Sequence, residues 1–370
     1  MDAIVIGAGI GGLATAVALG QRGWTVELVE RQPDLAPAGA GLLLWPNAVH
    51  ALRALGLGDA VVAAGTVMGS GGGRTPKGTW LASFDAERID ARLGAPIVAV
   101  HRADLHEILA SALPPSVTLR TGHAVASVDD LDADLVVGAD GIGSVVRAHF
   151  APQTRIRDSG QIAWRAVVND PGGLPTRFGE TLGRGWRFGA APLGARGVYW
   201  YVAAPGPLRT TSPAEQLAEL RVELAGWHAP IPALLAATPP ERLLQHALVD
   251  LHPVPPMAFD GRVALVGDAA HAMTPNLGQG ACLALEDAVV LAAELDAGVA
   301  PGLARYDEVR RPRVARIVAR SWQTGKVSGA RGRLVCALRD VLMRALPDSL
   351  TERSTAGVAD WRPSGVGVAR

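Results

Sequence analysis

Two cysteines are all the thiol chemistry in this 370-residue sequence. Cys282 and Cys336 have no metal-ligand spacing around them, which excludes a zinc module or disulfide scaffold and predicts no metal site. The pair suits a reducing cytoplasm, and Cys282, inside an apolar run, reads as a packing residue. No apolar stretch approaches the roughly 20 residues a bilayer-spanning helix needs, so no integral membrane association is expected. Nor is a signal peptide, because a core strand begins at residue 2 or 3. Charge of either sign is not in excess: 35 Lys and Arg face 35 Asp and Glu, so bulk electrostatics favour neither nucleic acid nor an acidic membrane. The basic run from Arg305 to Arg320 does not change this. Arg310, Arg311, Arg313 and Arg316 do not read as one face, no aromatic residues interleave them, and a solvated, salt-bridged helix is expected. Aromatics are sparse, with three tyrosines against nine tryptophans. That balance favours a large apolar pocket, although most tryptophans should simply be core.

A hydrophobic fraction of 49% without low-complexity runs is enough for one large or two medium domains. The first 30 residues carry a β-α-β frame. Ala3 to Ile6 is an apolar β-run, Gly7-Ala8-Gly9-Ile10-Gly11-Gly12 follows, and Leu13 to Gln21 is amphipathic. Trp24 to Val29 reads as a second strand that ends at Glu30. Gly7 would allow the tight turn, Gly9 the approach of a pyrophosphate to backbone, and Gly12 close helix–strand packing. A carboxylate at Glu30 can bind ribose hydroxyls and would repel a 2′-phosphate, so this site suits FAD or NAD better than NADP.

Arg262 to Ala288 supplies a second constellation. A valine-rich strand ends in Gly267-Asp268, and the loop Pro275-Asn276-Leu277-Gly278-Gln279-Gly280 opens an apolar helix. Asp268 can accept hydrogen bonds from sugar-type hydroxyls. The loop glycines expose backbone N–H groups, and the helix start favours negative charge. A reduced flavin carries its negative charge at such an edge. No second glycine fingerprint is visible for a nicotinamide.

The texture of the chain is interleaved. The fold class expected is α/β: a Rossmann-type FAD-binding domain over residues 1–72, 97–157 and 258–325, interleaved with a mixed β-sheet substrate domain over 73–96 and 158–257. A C-terminal helix and polar tail would occupy 326–370. Gly69 to Gly73 reads as a flexible joint, Val125 to Val128 as a short strand, and Leu135 to Gly138 as a buried parallel strand before Asp140-Gly141. In the aromatic region Gln161, Trp164, Arg165, Trp186, Phe188, Trp200 and Tyr201 should alternate, one set facing the flavin and the other the core. His246 and His252 read as structural.

Three ordered motifs, Gly7-x-Gly9-x-x-Gly12, Asp140-Gly141-x-x-Ser144-x-x-Arg147 and Gly267-Asp268 with Pro275 to Gly280, give a specific resemblance. Gly39-Ala40-Gly41, Trp45-Pro46-Asn47, His101-Arg102-x-Asp104-Leu105, Tyr306 and Pro312 support it. The chain resembles the single-component (class A) FAD-dependent aromatic monooxygenases of the para-hydroxybenzoate hydroxylase superfamily, in particular their salicylate hydroxylase, urate hydroxylase and tetracycline-inactivating group. The likeness spans residues 3 to about 313.

That resemblance implies cofactor-binding roles for Gly7, Gly9, Gly12, Glu30, Gly41, Asp140, Arg147, Asp268, Pro275, Gly278, Gln279, Gly280 and Ala281. Arg31 would lie by the adenosine, Arg102 by the pyrophosphate or ribityl chain, and Val125 by the adenine. It also implies NADH or NADPH as a transient reductant, dioxygen as co-substrate and transfer of oxygen from a flavin C4a-hydroperoxide to an aromatic or polyketide-like small molecule. Pro275 would act beside the ring, in a monomer or homodimer. Arg165, on a strand of the aromatic region, is the candidate for binding an acidic or phenolate substrate, with a surface or inter-strand salt bridge as the other reading. Epoxidation, Baeyer–Villiger insertion and oxidative decarboxylation remain as other outcomes of the same chemistry, and a non-catalytic FAD-binding module as an outcome of another class. His271 reads as cofactor-shell packing, and Glu286 and Asp287 as helix electrostatics.

Overall fold

The computed structural model describes residues 1–35, 40–129, 131–170 and 179–363. Gly39, part of one supporting segment, lies outside the described residues. The chain begins in the middle of a six-stranded sheet. Asp2–Ile6 pairs in parallel with Thr25–Val29 on one side and Leu135–Gly138 on the other. The sheet order is Ala258–Phe259, Val263–Leu265, Leu135–Gly138, Asp2–Ile6, Thr25–Val29, Val117–Arg120, and only the Ala258–Phe259 edge runs antiparallel. Continuous apolar runs such as Leu135–Gly138, buried at every residue, follow from helices covering both faces. The Ile10–Gly20 helix is buried nearly all round because it lies against the Gly280–Glu294 helix, itself buried from Cys282 to Ala292. The residues that start and end the dinucleotide frame thus meet in one core, although some 270 positions separate them.

A second, seven-stranded sheet has the order Leu244–His252, Arg155–Val168, Val198–Pro205, Arg187–Pro192, Gly179–Leu182, Ser70–Arg74, Trp80–Asp85. The period-2 alternation of its strands divides it into two unlike faces. Trp164, Phe188 and Trp200 point one way and bury against the helices Pro213–Glu223 and Ile231–Ala236. Both indole N–H groups are satisfied there, Trp164 Nε1 donating to Gln216 at 2.8 Å and Trp200 Nε1 to Thr238 at 3.0 Å. Each fully buried indole removes about 200 Å² from water, on the order of 5 kcal/mol of transfer free energy, which holds these helices to the sheet. Gln161, Arg165, Tyr199 and Tyr201 occupy the opposite face. The buried tryptophans therefore lie behind the sheet and do not line a pocket, because alternation assigns the opposite side to the polar set.

A three-stranded sheet, Gly41–Leu44, Val98–His101 and Thr66–Val67, joins the two units. Several expectations change. Ser70–Arg74 is a strand and not a flexible joint: its backbone pairs with Trp80–Asp85 and Gly179–Leu182, and Met343 packs over Gly73. The strand Arg155–Val168 also begins before residue 158. Val125 to Val128 forms no strand; Val117–Arg120 is the edge of its sheet among the described residues, and Val125 and Val128 act as side-chain anchors on the core. Beyond Leu346 the chain continues as a helix, Asp348–Ala359, whose Ala356, Val358 and Ala359 are buried. Its small polar residues disguise that narrow apolar face in the sequence. No described helix is long and apolar enough to cross a membrane.

Candidate active site

At the first glycine turn, Gly7 N–H donates to the Val29 carbonyl at 2.7 Å, fastening the turn to the neighbouring strand. Glu30 lies under it: one carboxylate oxygen accepts from Ala8 N–H at 2.8 Å and the other from Gln32 N–H at 2.9 Å. His106 donates to the Ala8 carbonyl at 2.7 Å from below. A Cβ on Gly12 would stand inside contact distance of the Gly7 carbonyl oxygen, so only glycine permits this approach of helix to turn. The helix start at Gly9 carries no side-chain cap, and among the described residues nothing beyond its chain neighbours lies within 4 Å of where a Gly9 Cβ would be. Uncapped N–H groups opening on free space are what an anionic pyrophosphate needs.

The Gly267-Asp268 turn lies beside this one, since Gly11 packs on Val266, Gly267 and Ala284. Gly267 has φ +59° and ψ −139°, a conformation that side chains rarely adopt and that swings the chain from strand into the short helix Asp268–His271. Asp268 is exposed at the start of that helix and has no side-chain partner among the described residues, leaving its carboxylate free for hydroxyl groups. Pro275 is exposed and opens a single 3-10 turn, Pro275–Leu277. Gly278 abuts the Trp45 indole, whose buried Nε1 has no partner, and Gly280 faces open space at the uncapped start of its helix, with Ala281 half-buried in the first turn. Asp140 accepts from Val145 N–H at 2.7 Å through one oxygen, and its other buried oxygen is unpartnered. Two uncapped helix starts, a free carboxylate and unpartnered polar atoms form one continuous cradle. It fits an extended dinucleotide with an anionic middle.

Beneath the cradle, four charged groups and three polar ones form a buried network. Asp287 accepts from Gly267 N–H at 3.0 Å, from His271 Nε2 at 2.6 Å and from Arg310 Nε at 2.8 Å. A carboxylate only accepts, so Nε2 carries the proton of the His271–Asp287 hydrogen bond, while Nδ1 is buried without a partner. Burial opposes ionisation of Asp287, yet His271 and Arg310 outweigh it and hold the pKa below the ordinary value. Glu286 pairs with Arg310 and receives Arg313 in a two-point contact at 2.7 and 2.8 Å. Asn47 Nδ2 donates both to Glu286 at 2.6 Å and to Gln279 Oε1 at 2.9 Å. Two carboxylates thus meet two guanidiniums, and the network reaches both ends of the loop, Gly267 and Gln279. The arginine helix is therefore not simply solvated: Arg310 is fully buried, and Arg310 and Arg313 share the face toward Glu286. A run of arginines does not reveal which of them meets a buried acid on the neighbouring helix.

The polar face of the seven-stranded sheet closes the other side. Gln161 donates to the Gly325 carbonyl at 3.3 Å, and Asn276 of the loop packs on the same glycine and donates to Ser321 O at 2.9 Å. Tyr199 touches Gly41. The sheet face and the Pro275–Gly280 loop therefore border one cleft. Tyr201 donates to Glu180 at 3.0 Å; Arg187, buried, also binds Glu180 and donates to Gln161 and Ser328. Arg165 is half-buried with no ion-pair partner among the described residues. Its charge reaches Tyr199, and it acts with Arg102 on His246, which is on the same face opposite Ala163. His246 is exposed along one side; its partial burial first, then these two cations, lower its pKa. In sequence this histidine reads as structural, because its strand, Leu244–His252, alternates too weakly to show which face it presents.

Other expected residues are more scattered. Arg102 is exposed at the first position of the Arg102–Ser111 helix, its N–H bonded to Ala40 O at 2.8 Å, and Arg31 is exposed beside Glu30. Val125 is half-buried against the core. Arg147 is buried and donates to Ala269 O at 2.9 Å and to the Ile142 carbonyl, tying the Asp140 loop to the Asp268 helix. Gln279 turns its side chain inward to Asn47, so toward the cleft it offers backbone.

Comparison with known proteins agrees with this geometry. A family model described as "FAD binding domain" matches residues 115–321, and one described as "FAD dependent oxidoreductase" matches residues 2–55. The chain is 35% identical to the aurachin C monooxygenase/isomerase of Stigmatella aurantiaca over 98% of its length and 99% of that protein's. It is 32% identical to a FAD-dependent urate hydroxylase of Klebsiella pneumoniae, with 99% of each covered. A crystal structure of Klebsiella pneumoniae HpxO complexed with FAD and uric acid superimposes with a TM-score of 0.88 at 28% identity, covering 97% of this chain and 96% of that one. With the cradle intact and relatives of this kind matched end to end, the chain belongs to the class A FAD-dependent aromatic monooxygenases.

Proposed function

We propose that the protein hydroxylates an electron-rich aromatic or polyketide-like small molecule, using dioxygen and electrons from NADH or NADPH. The observation that carries this reading is Arg165, a half-buried guanidinium without an ion-pair partner among the described residues, on a sheet face that borders the Pro275–Gly280 loop. A cation kept from water attracts a substrate that is anionic where it reacts, a phenolate or enolate. His246, its pKa lowered, is a neutral imidazole at neutral pH and is poised to take a phenolic proton.

In this reading Glu30 and Arg31 lie by the adenosine, Val125 by the adenine and Arg102 by the pyrophosphate. Gly7, Gly9 and Gly12 shape the phosphate turn. Asp268 holds a ribityl hydroxyl, Gly41, Asp140 and Arg147 support the cofactor's middle, and Pro275 with the backbone of Gly278 to Ala281 frames the ring. FAD, when bound, supplies the redox chemistry and oxygen activation; the chain supplies position, charge and exclusion of water. The names of the urate hydroxylase and aurachin C monooxygenase/isomerase relatives support single-oxygen chemistry on small molecules. A cytoplasmic location, suited to two free buried cysteines, and a monomer or homodimer complete the proposal.

The test is NAD(P)H oxidation by the FAD-loaded protein across a panel of phenols, aromatic acids and polyketides, with peroxide yield and product mass. Ligand-stimulated oxidation with little peroxide and a product heavier by one oxygen atom supports hydroxylation once the product's structure shows a ring hydroxyl. An epoxide, an inserted oxygen or loss of carbon dioxide replaces it with another outcome of the same chemistry. Bound FAD that neither nicotinamide reduces in the presence of any ligand sinks the proposal.

A further inference from the structure

The chain's zero net charge conceals a local concentration of a different kind. The helix Arg333–Ala345 presents Leu334, Val335, Leu338, Val341 and Leu342 to solvent, each between 56% and 84% exposed, and Leu346 follows at 48%. At 100° per residue these side chains share one face. The opposite face is firmly docked. Arg339 donates to Leu182 O at 3.3 Å and to Gly183 O and Ser328 O at 3.2 Å, and Met343 packs on Gly73. The helix is therefore attached to the edge of the seven-stranded sheet by its polar side, with its apolar side outward. A helix that served only the protein's own core would be turned the other way.

Charge identifies what this face meets. Arg331, Arg333 and Arg344 are exposed at its border and have no ion-pair partner among the described residues. The one acid in the helix, Asp340, is paired with Arg339. A leucine-rich face rimmed by unpaired arginines is complementary to a surface with an apolar interior and anionic head groups. A second copy of the chain fits less well. A helix of this length is about 20 Å long and about 10 Å wide, so a pair packed along it falls well short of the roughly 800 Å² per partner of a stable interface, and it would place like charges together.

We propose that the Arg333–Ala345 helix is a peripheral docking surface for an anionic phospholipid bilayer, lying flat with its leucines in the acyl boundary and its arginines at the head groups. The docked side of the helix touches the strand Gly179–Leu182, whose Glu180 belongs to the polar sheet face. A docked molecule would thus hold the substrate face close to the membrane.

The experiment is co-sedimentation of the full-length, FAD-loaded protein with vesicles of phosphatidylcholine alone or of an equimolar phosphatidylcholine–phosphatidylglycerol mixture, with light scattering of the protein alone. Binding to the anionic vesicles that weakens with salt is expected. Arg333→Gln with Arg344→Gln should weaken it about 25-fold, at roughly fivefold per arginine. Leu338→Glu with Leu342→Glu should reduce it by more than about tenfold, with circular dichroism and flavin absorbance unchanged, as expected for exposed positions. No sedimentation with either vesicle overturns the proposal. So does a dimer in light scattering that Leu338→Glu with Leu342→Glu converts to monomer, which would assign the face to a second copy.

Discussion

Two groups of charges lie on either side of the cofactor cradle and are treated in opposite ways. Below it, Glu286, Asp287, Arg310 and Arg313 are matched two against two, with hydrogen bonds at 2.6 to 3.0 Å to Asn47, His271 and Gly267. Across from it, Arg165 and His246 lie on one sheet face, and Arg165 has no ion-pair partner among the described residues. A buried ion pair contributes little net stability over an apolar pair of the same shape, but losing one member is costly. The lower network therefore serves geometry, holding Gly267 and Gln279 in register. The upper pair leaves its electrostatic potential available to a ligand. Paired charges maintain a site, and unpaired ones act in it.

The largest expected effect comes from breaking the lower group. Arg310→Leu leaves two buried carboxylates short of a partner and should cost about 3–5 kcal/mol in urea unfolding, with loss of bound FAD. A change under about 1 kcal/mol would mean the network relaxes freely and does not hold the loop. Arg165→Gln should do the reverse. Stability stays within about 0.5 kcal/mol, while affinity for an anionic aromatic ligand falls about 10- to 100-fold and FAD affinity is unchanged. If neutral and anionic ligands weaken equally, Arg165 is not reading charge.

Asn47→Ala removes the link between Glu286 and Gln279 and should cost about 1–3 kcal/mol, read as weaker FAD retention in equilibrium dialysis. The acid side of the stability profile is the next test. Asp287 has a folded pKa below its unfolded value of about 3.9, so it contributes stability above that value and loses it as pH falls through the lower folded one. Acid unfolding of Asp287→Asn should start from a lower plateau and fall less steeply; an unchanged slope would remove Asp287 from the acid response. The smallest effect concerns Cys282. Burial foremost pushes its thiol up to about 12, so native protein should resist iodoacetamide at this residue near neutral pH, as peptide mapping would show.

The cradle was the most legible part of the molecule in sequence, because it is built from local signals. The turn at Gly7, the close approach at Gly12 and the strand end at Gly267-Asp268 each follow from a few consecutive residues, and structure finds each there. Legibility failed where the deciding partner is remote. Arg310 looks like any helix-surface arginine until Glu286 is seen beneath it. Ser70–Arg74 looks like a hinge until two strands and Met343 are placed against it. The tryptophans suggested a pocket, but pleat alternation cannot say which side of a sheet will be covered by helices; here that side is the tryptophans' side.

Sequence alone determined the cofactor cradle, the parallel sheet that carries it and the family, because backbone turns, helix starts and continuous apolar strands are properties of neighbouring residues. Only the tertiary structure decided which charges are neutralised, which sheet face meets the Pro275–Gly280 loop and which helix face is left to solvent. Those outcomes depend on what a side chain meets across the fold, and burial strengthens or cancels a charge according to a partner that the local sequence does not contain.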